Sequence, residues 1–260
     1  MWKCRRYLQL HERQVIDLTD IELLSQRARQ KAARAEAGFY DRPSPNSIRE
    51  SIDHTLLFPA PVAEEISVLC EEAVRFGFAS VCVPMTSLPE AVRILTGTGV
   101  RVGTVAGFPL GASPLSIKAS EIRWAIEHGA DEIDTVINIP AARESNRQMI
   151  REELFALREA AQGKTLKVIL EMPLLNDTQI ITTLRLAEQA GVDYVKTCTG
   201  FAGSVTYYHV ALLRTAASAT MKIKASAGIR TYAAAEILMG LGADRLGTSS
   251  ATKFLEPLSS

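Results

Sequence analysis

The chain has no excess charge of either sign and no long apolar run. Its 260 residues carry 29 basic and 29 acidic side chains, so the formal net charge is zero. That balance argues against a broad surface for nucleic acid or anionic membranes. The sequence also lacks the ~18 consecutive apolar residues that a membrane-spanning helix needs. With 47% hydrophobic residues, the composition predicts a globular protein with a large core and no nucleic-acid or membrane partner.

Cysteine is scarce. The four cysteines, Cys4, Cys70, Cys82 and Cys198, lie far apart and form no Cys-x-x-Cys pair. This spacing predicts neither a zinc site nor a disulfide framework, and most of the thiols are expected to be free and buried. Arg5-Arg6 faintly resembles a twin-arginine export signal, but charged residues interrupt the segment that follows. Because an export signal needs an apolar stretch there, the cytoplasm is the expected location.

Phosphate-binding loops of the GxGxxG and GxxxxGK[ST] types are absent as well, which weighs against an open, doubly wound nucleotide-binding sheet. From residue 50 onward, short β-branched segments alternate instead with segments of helical period. Three helical segments end in the phrases His128-Gly-Ala-Asp, Ala190-Gly-Val-Asp and Leu241-Gly-Ala-Asp, where the glycine suits a helix C-terminus. Repeated βα units of this kind predict an α/β fold, the closed (β/α)8 TIM barrel, with the open sheet as the alternative.

The pattern divides the chain into an N-terminal helical extension, residues 1–47, and a barrel catalytic domain, residues 48–260. The extension contains a predicted helix over 20–38. It is expected to pack on the core or on a partner subunit, with partial disorder as the alternative. The predicted strands are 51–57, 78–83, 101–108, 131–138, 165–172, 192–199, 221–226 and 245–249. The predicted helices between them include 63–76, 113–128, 145–161, 178–190 and 233–241, and a short helix follows at 250–254.

Charged residues alternate with apolar ones in the predicted strands of the second half. Asp134, Lys167, Lys196 and Lys224 each lie on the polar face of a strand whose other face is aliphatic. Because the aliphatic faces suit the helix layer, the charged faces are expected to point into the barrel. Buried charges are costly unless they are paired, so either a structural salt-bridge cluster or a catalytic site would explain them.

Two lysines and a carboxylate suit Schiff-base chemistry. An amine attacks a carbonyl only when it is neutral, and a second ammonium nearby disfavours its charged form. The iminium that forms is an electron sink, so a neighbouring C–C bond can break while a carboxylate and an ammonium move protons. This is class I aldolase chemistry, which needs neither a metal nor a cofactor. The spacing leaves open whether Lys196 or Lys224 is the nucleophile.

The sequence also contains candidates for a metal site and for an anion site. His54 and His128 are the obvious metal ligands, but His128 fits a helix C-terminus and His54 fits the outward face of the first strand, so structural roles are favoured. Glycines and serines follow the last three strands, in Gly200, 227–230 and 247–250. Such turns favour a phosphate site at the C-terminal end of a barrel, with ordinary capped turns as the alternative.

These segments together resemble the deoxyribose-phosphate aldolase family. The resemblance runs from Ile52-Asp-His-Thr-Leu-Leu through Gly107-Phe-Pro-Leu-Gly and Val195-Lys-Thr-Cys-Thr-Gly-Phe to Ile223-Lys-Ala-Ser-Ala-Gly-Ile-Arg and Gly247-Thr-Ser-Ser. It implies reversible cleavage of 2-deoxy-D-ribose 5-phosphate to acetaldehyde and D-glyceraldehyde 3-phosphate. It also implies a homodimer or higher homo-oligomer whose ligands are a sugar phosphate and aldehydes.

The resemblance assigns roles as well. It makes Lys196 the Schiff-base lysine, Lys224 the lysine that lowers its pKa, and Asp134 the proton relay. The positions implied for substrate binding are Asp53, Cys82, Lys167, Thr197, Gly200, Gly228, Ser249 and Ser250.

Several positions depart from the family pattern, namely Phe58 in place of lysine, Pro84 in place of asparagine, Ala227 and Lys222 in place of glycine, and Met172-Pro173 after Glu171. They keep two alternatives open. The first is a Schiff-base aldolase that acts on a different sugar or sugar phosphate, and the second is a non-catalytic sugar-phosphate-binding barrel.

Overall fold

Eight parallel strands close into one barrel. The structure, a computed structural model, describes residues 18–256. The strands are β1 (Ile52–Thr55), β2 (Ser80–Val83), β3 (Arg101–Ala106), β4 (Glu132–Val136), β5 (Thr165–Ile169), β6 (Tyr194–Lys196), β7 (Lys222–Ser226) and β8 (Arg245–Thr248). They pair in chain order, and β8 pairs with β1. The predicted TIM barrel is confirmed and the open sheet is excluded.

A layer of helices surrounds the strands. Within the described chain the helices are α1 (Leu18–Glu36), α2 (Pro45–Glu50), α3 (Ala63–Phe76), α4 (Leu88–Leu95), α5 (Leu115–Glu127), α6 (Ile139–Arg143), α7 (Arg147–Ala160), α8 (Asp177–Gln189), α9 (Tyr207–Ala216), α10 (Tyr232–Gly240) and α11 (Ala251–Leu255). The aliphatic strand faces pack against this layer; Ile133, Val168 and Ile223, for example, are fully buried. No helix in residues 18–256 is long and apolar enough to cross a bilayer.

The repeated Gly-x-Asp phrases explain how helices return to strands. Gly129, Gly191 and Gly242 all have positive φ, from 71° to 105°, as the sequence predicts for helix C-termini. The aspartate two residues later then accepts the backbone N–H of an earlier strand: Asp193 Oδ2 lies 2.8 Å from Leu166 N, and the other two phrases repeat the contact. Each phrase therefore ends a helix and sets the register of the next strand.

The N-terminal helix α1 packs along α8 and α9. Its buried side is a stripe of small residues with Ile21 at one end, spaced three or four apart as a helix face requires. Lys31 Nζ donates to Leu241 O at 3.2 Å, and Tyr40 Oη donates to Glu236 Oε2 at 2.7 Å. In the described residues the extension thus contacts the barrel helices. Arg5-Arg6 and Cys4 lie outside the described residues.

Candidate active site

The barrel interior holds a cluster of buried charges. Its side chains come from six of the eight strands, and each is at most 5% exposed. The carboxylates are Asp53, Glu132 and Asp134, and the cations are Lys167, Lys196, Lys224 and Arg245. Four buried cations face three carboxylates, with Arg101 reaching Glu132 from the half-exposed rim at 2.8 Å. The polar strand faces point inward, as predicted.

Asp134 lies where the two candidate lysines meet. Its Oδ2 accepts from Lys196 Nζ at 2.9 Å and from Lys224 Nζ at 2.7 Å. Lys167 Nζ is 3.3 Å from the other oxygen. Burial alone would raise the pKa of Asp134, but these three ammonium groups outweigh it and hold the pKa below its ordinary value. Asp134 is therefore an ionised carboxylate shared between Lys196 and Lys224.

Two carboxylates hold Lys224 more firmly as an ammonium than the sequence alone predicts. Its Nζ also lies 2.5 Å from Asp53 Oδ2, so it contacts two carboxylates. Burial lowers the pKa of Lys224, but the attraction of Asp134 and Asp53 is larger and raises it above the ordinary value.

The remaining charges lie beneath this pair. Lys167 Nζ contacts all three carboxylates, and burial, which lowers its pKa, is outweighed so that the pKa is raised. Arg245 Nε donates to Asp53 Oδ1 at 2.7 Å, and Nη2 donates to Glu132 Oε2 at 3.0 Å. Lys167 and Asp53 are predicted from the sequence, and Arg245 is not. The alternation of side chains along a strand could have identified Arg245, because Arg245 and Gly247 are two residues apart and therefore lie on the same face of β8.

A cavity of about 310 Å³ opens above the cluster at the C-terminal ends of the strands. Of the clustered charges in the described chain, Lys196 alone lines it. Lys224 and Asp134 lie below the cavity and are fully buried. The three-dimensional arrangement therefore separates two lysines that the strand pattern left equivalent.

Residues of the turns after β6, β7 and β8 form another part of the cavity wall. Gly200, Gly228, Ser249 and Ser250 all line it, together with Arg230. In the described chain, the N–H groups of Gly200, Gly228 and Ser249 donate to no other residue, whereas Ser250 N donates to Thr248 Oγ1 at 3.0 Å. Three free donors beside a cationic side chain can bind an anion.

Ala227 takes the backbone conformation that its neighbour Gly228 also has. Its φ is +78° and that of Gly228 is +81°. An alanine in this region costs about 1–3 kcal/mol. Ala227 therefore adopts a left-handed conformation that a glycine would adopt with less strain.

Four of the eight predicted binding residues do not line the cavity: Asp53 and Lys167 in the charged cluster, and Thr197 and Cys82. Thr197 is fully buried, and its Oγ1 accepts from Ser226 N at 3.1 Å and donates to Ser226 O at 3.2 Å. Cys82 is buried near Asp134, and burial first, then that carboxylate, raises the pKa of its thiol to about 11. Thr197 and Cys82 therefore lie behind the residues that line the cavity. Like Cys82, Cys70 and Cys198 are buried free thiols, as the sequence predicts.

Glu171 is not predicted from the sequence as a site residue, but it contacts the loop that lines the cavity. It follows β5 with a φ of +52° and is only 1% exposed. Its carboxylate accepts from Thr199 Oγ1, and Thr199 N lies 3.3 Å from both oxygens. Thr199 Oγ1 in turn accepts from Phe201 N at 3.1 Å. Glu171 thereby holds the loop that carries Gly200.

The histidines have structural contacts. His54 is on the outer face of β1, with Nε2 2.6 Å from Glu72 Oε2 on α3. His128 follows α5, with Nδ1 2.7 Å from Trp124 O. In residues 18–256 no group of three or more His, Cys, Asp or Glu side chains is arranged to hold a metal ion.

The family model for the DeoC/LacD family aldolases matches residues 46–243, which include the whole charged cluster apart from Arg245. The chain belongs to this aldolase family. A deoxyribose-phosphate aldolase of Geobacillus sp. (strain WCH70) is 45% identical over 213 residues, which is 81% of this chain and 96% of that protein. The relatives thus span the barrel.

Solved structures of the aldolase family share this architecture. A candidate deoxyribose-phosphate aldolase from Coccidioides immitis superposes with a TM-score of 0.82 at 35% identity, covering 91% of this chain and 98% of that one. The deoxyribose phosphate aldolase from Aeropyrum pernix, which is described as a tetramer, has a TM-score of 0.75 at 31% identity and covers 91% and 97%.

Proposed function

We propose that this aldolase reversibly cleaves 2-deoxy-D-ribose 5-phosphate into acetaldehyde and D-glyceraldehyde 3-phosphate through a Schiff base on Lys196. The observation that carries the proposal is the position of Lys196. It lines the open cavity, and its Nζ shares one carboxylate oxygen with the buried ammonium of Lys224. The similarity to deoxyribose-phosphate aldolases supports the choice of substrate.

The ion pairs of the cluster distinguish Lys196 from the other two lysines. Lys167 contacts three carboxylates, and Lys224 contacts two. Among the described residues, Lys196 contacts one carboxylate, that of Asp134. Lys196 is therefore the lysine of the cluster with the fewest carboxylate partners, and it is the one that borders the cavity.

The reaction then follows from the positions of three groups. The Lys196 amine adds to the aldehyde carbon, water leaves, and an iminium forms. A base removes the proton of the hydroxyl on the third carbon, and the bond between the second and third carbons breaks as its electrons move to the iminium. Asp134 and Lys224 are buried beneath the cavity, so we assign them a proton relay through water: the carboxylate receives that proton, and the ammonium stabilises and reprotonates the groups that change charge. Protonation of the enamine and hydrolysis release acetaldehyde and restore Lys196.

The substrate phosphate would bind at the far side of the cavity. The free N–H groups of Gly200, Gly228 and Ser249 and the Arg230 guanidinium are the donors proposed for it, with Ser250 contributing its side chain. Asp53 and Lys167 would hold the catalytic groups from below, and Cys82 and Thr197 would shape the wall behind them. This assignment keeps phosphate and reactive carbonyl at opposite ends of one cavity.

A cleavage assay with two matched lysine variants tests the proposal. Lys196→Arg removes the nucleophile but keeps the charge, so we expect the turnover of deoxyribose 5-phosphate to fall by at least about 10³-fold. Lys222→Arg is the control, because Lys222 lies exposed at the opposite end of β7, and it should retain activity. Equal activity in wild type and Lys196→Arg would refute the Schiff base on this lysine.

We also propose that residues 1–47 are an extension and that residues 48–260 form the catalytic domain. The family model begins at residue 46, which supports this division, and α1 packs on α8 and α9 of the barrel. The tetrameric relative from Aeropyrum pernix supports a homo-oligomer, and the cytoplasm is the location proposed for the enzyme.

A further inference from the structure

A buried ion pair joins two helices of the outer layer. Lys118 on α5 is fully buried, and its Nζ lies 2.8 Å from Oε1 of Glu153, a buried residue on α7. The pair is not part of the charged cluster, and the proposed reaction does not use it. Burying two charges is costly, and replacing such a pair by apolar residues is often neutral or stabilising. The other contacts of the two side chains therefore indicate what the pair does.

Both side chains bind the backbone at the C-terminal end of β4. Lys118 Nζ donates to Val136 O at 2.8 Å, and Val136 is the last residue of the strand. Glu153 Oε2 accepts from Asn138 N at 2.7 Å. Asn138 in turn caps α6, where its Oδ1 accepts from Ala141 N at 3.1 Å. The ion pair therefore fixes the backbone on both sides of the point where the chain leaves β4.

The helix α5 also holds the end of β3. Glu121, one turn after Lys118, accepts from Gly107 N at 2.7 Å. The stem of Lys118 packs so closely on Gly107 that a Cβ there would lie 2.9 Å from Lys118 Cε. Phe108 is the next residue, and the centroid of its ring is 6.0 Å from Lys196 Nζ. One helix thus positions the ends of two neighbouring strands beside the site.

Asp134 lies two residues before Val136 on β4. Its Oδ2 lies 2.9 Å from Lys196 Nζ and 2.7 Å from Lys224 Nζ, which belong to two other strands. In residues 18–256 its Oδ1 accepts no hydrogen bond, so no neutral donor orients the carboxylate. The placement of the carboxylate therefore depends on the backbone of β4. A misplacement of about 1 Å at a reacting group can lower the rate by about 10²-fold.

We propose that Lys118 and Glu153 are positioning residues of the aldolase reaction, which keep the Asp134 carboxylate in place by fixing the end of β4. The inference rests on the proposed function. Neither residue of the pair lines the catalytic cavity, so neither touches the substrate. The proposed phosphate donors lie after β6, β7 and β8, where the pair makes no contact within the described chain. The pair should therefore affect the chemical step and not the binding of substrate.

The double variant Lys118→Met/Glu153→Gln tests the proposal. Methionine keeps an unbranched side chain without the ammonium, and glutamine keeps an acceptor for Asn138 N. No charge is left unpaired, and the backbone contact that is lost is the one with Val136 O. We expect kcat for cleavage of deoxyribose 5-phosphate to fall by at least about tenfold, with KM changed less than about twofold. The kcat is calculated per chain that borohydride traps with acetaldehyde, so that unfolded protein is not counted.

The ion pair at the other end of β4 provides the matched control. Lys164 Nζ lies 3.3 Å from Asp131 Oδ1, and Asp131 Oδ2 accepts from Val102 N at 3.1 Å. Lys164→Met/Asp131→Asn removes the same two kinds of charge beside the same strand and keeps an acceptor for Val102 N. Because ion pairs open to solvent contribute little, kcat should stay within about twofold of wild type.

Glu153→Asp gives a second test if the double variant does not fold. It keeps the charge but shortens the side chain by one methylene, so that the carboxylate cannot reach both Lys118 Nζ and Asn138 N. We expect kcat to fall by about threefold or more, with KM unchanged.

The outcomes distinguish this inference from the proposed function. Wild-type kcat in a folded variant of the Lys118–Glu153 pair would overturn the positioning role. So would a rise in KM without a fall in kcat, or an equal loss of kcat in the control pair. If the wild-type protein forms no adduct and cleaves no deoxyribose 5-phosphate, the proposed aldolase reaction itself fails, and the positioning role falls with it.

Discussion

Lys196 and Lys167 are both buried lysines of the same charged cluster, but they have different surroundings. Lys196 has one carboxylate partner and borders a cavity, whereas Lys167 contacts Asp53, Glu132 and Asp134. A side chain kept for chemistry should be dispensable for folding. A side chain that neutralises three carboxylates should not be.

Leucine substitutions at these two positions test that difference. Lys196→Leu leaves Asp134 paired with Lys224 and Lys167, so the free energy of unfolding should stay within about 1 kcal/mol of wild type or rise. Lys167→Leu removes the central cation and should cost about 3–5 kcal/mol. Urea unfolding of both variants measures this, and a larger loss for Lys196→Leu than for Lys167→Leu would mean that Lys196 is structural.

The sequence could identify these residues but not rank them. Strand alternation predicts that Asp134, Lys196 and Lys224 share the barrel interior, and the structure agrees. Alternation cannot show that the cavity at the C-terminal end of the barrel is lined by Lys196 and not by Lys224, because that difference depends on how far each strand extends. Alternation along β8 could also have placed Arg245 on the inner face, but it could not show the partners of Arg245, which lie 113 and 192 residues away in the chain.

At the scale of elements, the loops beyond the strands determine the shape of the site. The predicted strands 165–172 and 192–199 end early, at Ile169 and Lys196. Glu171 adopts a left-handed conformation, and Thr197 gives its side-chain hydrogen bonds to Ser226. Local side-chain contacts of this kind compete with strand pairing and are invisible to periodicity. The sequence pattern did not predict the helices α4, α6 and α9. Each of them also follows a loop that begins at the end of a strand.

Glu171→Gln tests whether this loop controls phosphate binding. The glutamine side chain would place an N–H donor, in place of one carboxylate oxygen, against the Thr199 N–H. One hydrogen bond would then be lost, and Gly200 would be less well positioned. We expect KM for deoxyribose 5-phosphate to rise by roughly tenfold and kcat to change much less. Exposed Glu144→Gln serves as the control. A fall in kcat without a change in KM would show that Glu171 acts on the chemical step instead.

At the scale of the whole molecule, the buried charges link the fold to pH. The pKa values of Asp53 and Asp134 are held below their ordinary values, because nearby cations outweigh the effect of burial. Those of Lys167 and Lys224 are raised, because carboxylates outweigh it. These four groups therefore stay ionised in the native barrel over a wide pH range.

The sign of the pH dependence follows from these shifts. Below about pH 4 the carboxylates of the unfolded chain bind protons that the same carboxylates do not bind in the native state. The free energy of unfolding therefore falls as the pH decreases. Above about pH 10 the unfolded lysines lose protons that the native ones keep, and it falls again. Urea midpoints measured across this range should show a plateau between the two limits. Asp134→Asn should fall less steeply on the acid side; an equally steep fall would show that Asp134 is not part of this linkage.

The central claim is the covalent bond to Lys196, and borohydride trapping tests it most directly. Wild-type protein is incubated with deoxyribose 5-phosphate or acetaldehyde, reduced, and weighed intact by mass spectrometry, and the modified peptide is sequenced. The account predicts one stable adduct per chain on Lys196, present in Lys222→Arg and absent in Lys196→Arg. An adduct on Lys224, or no adduct with either compound, would contradict it.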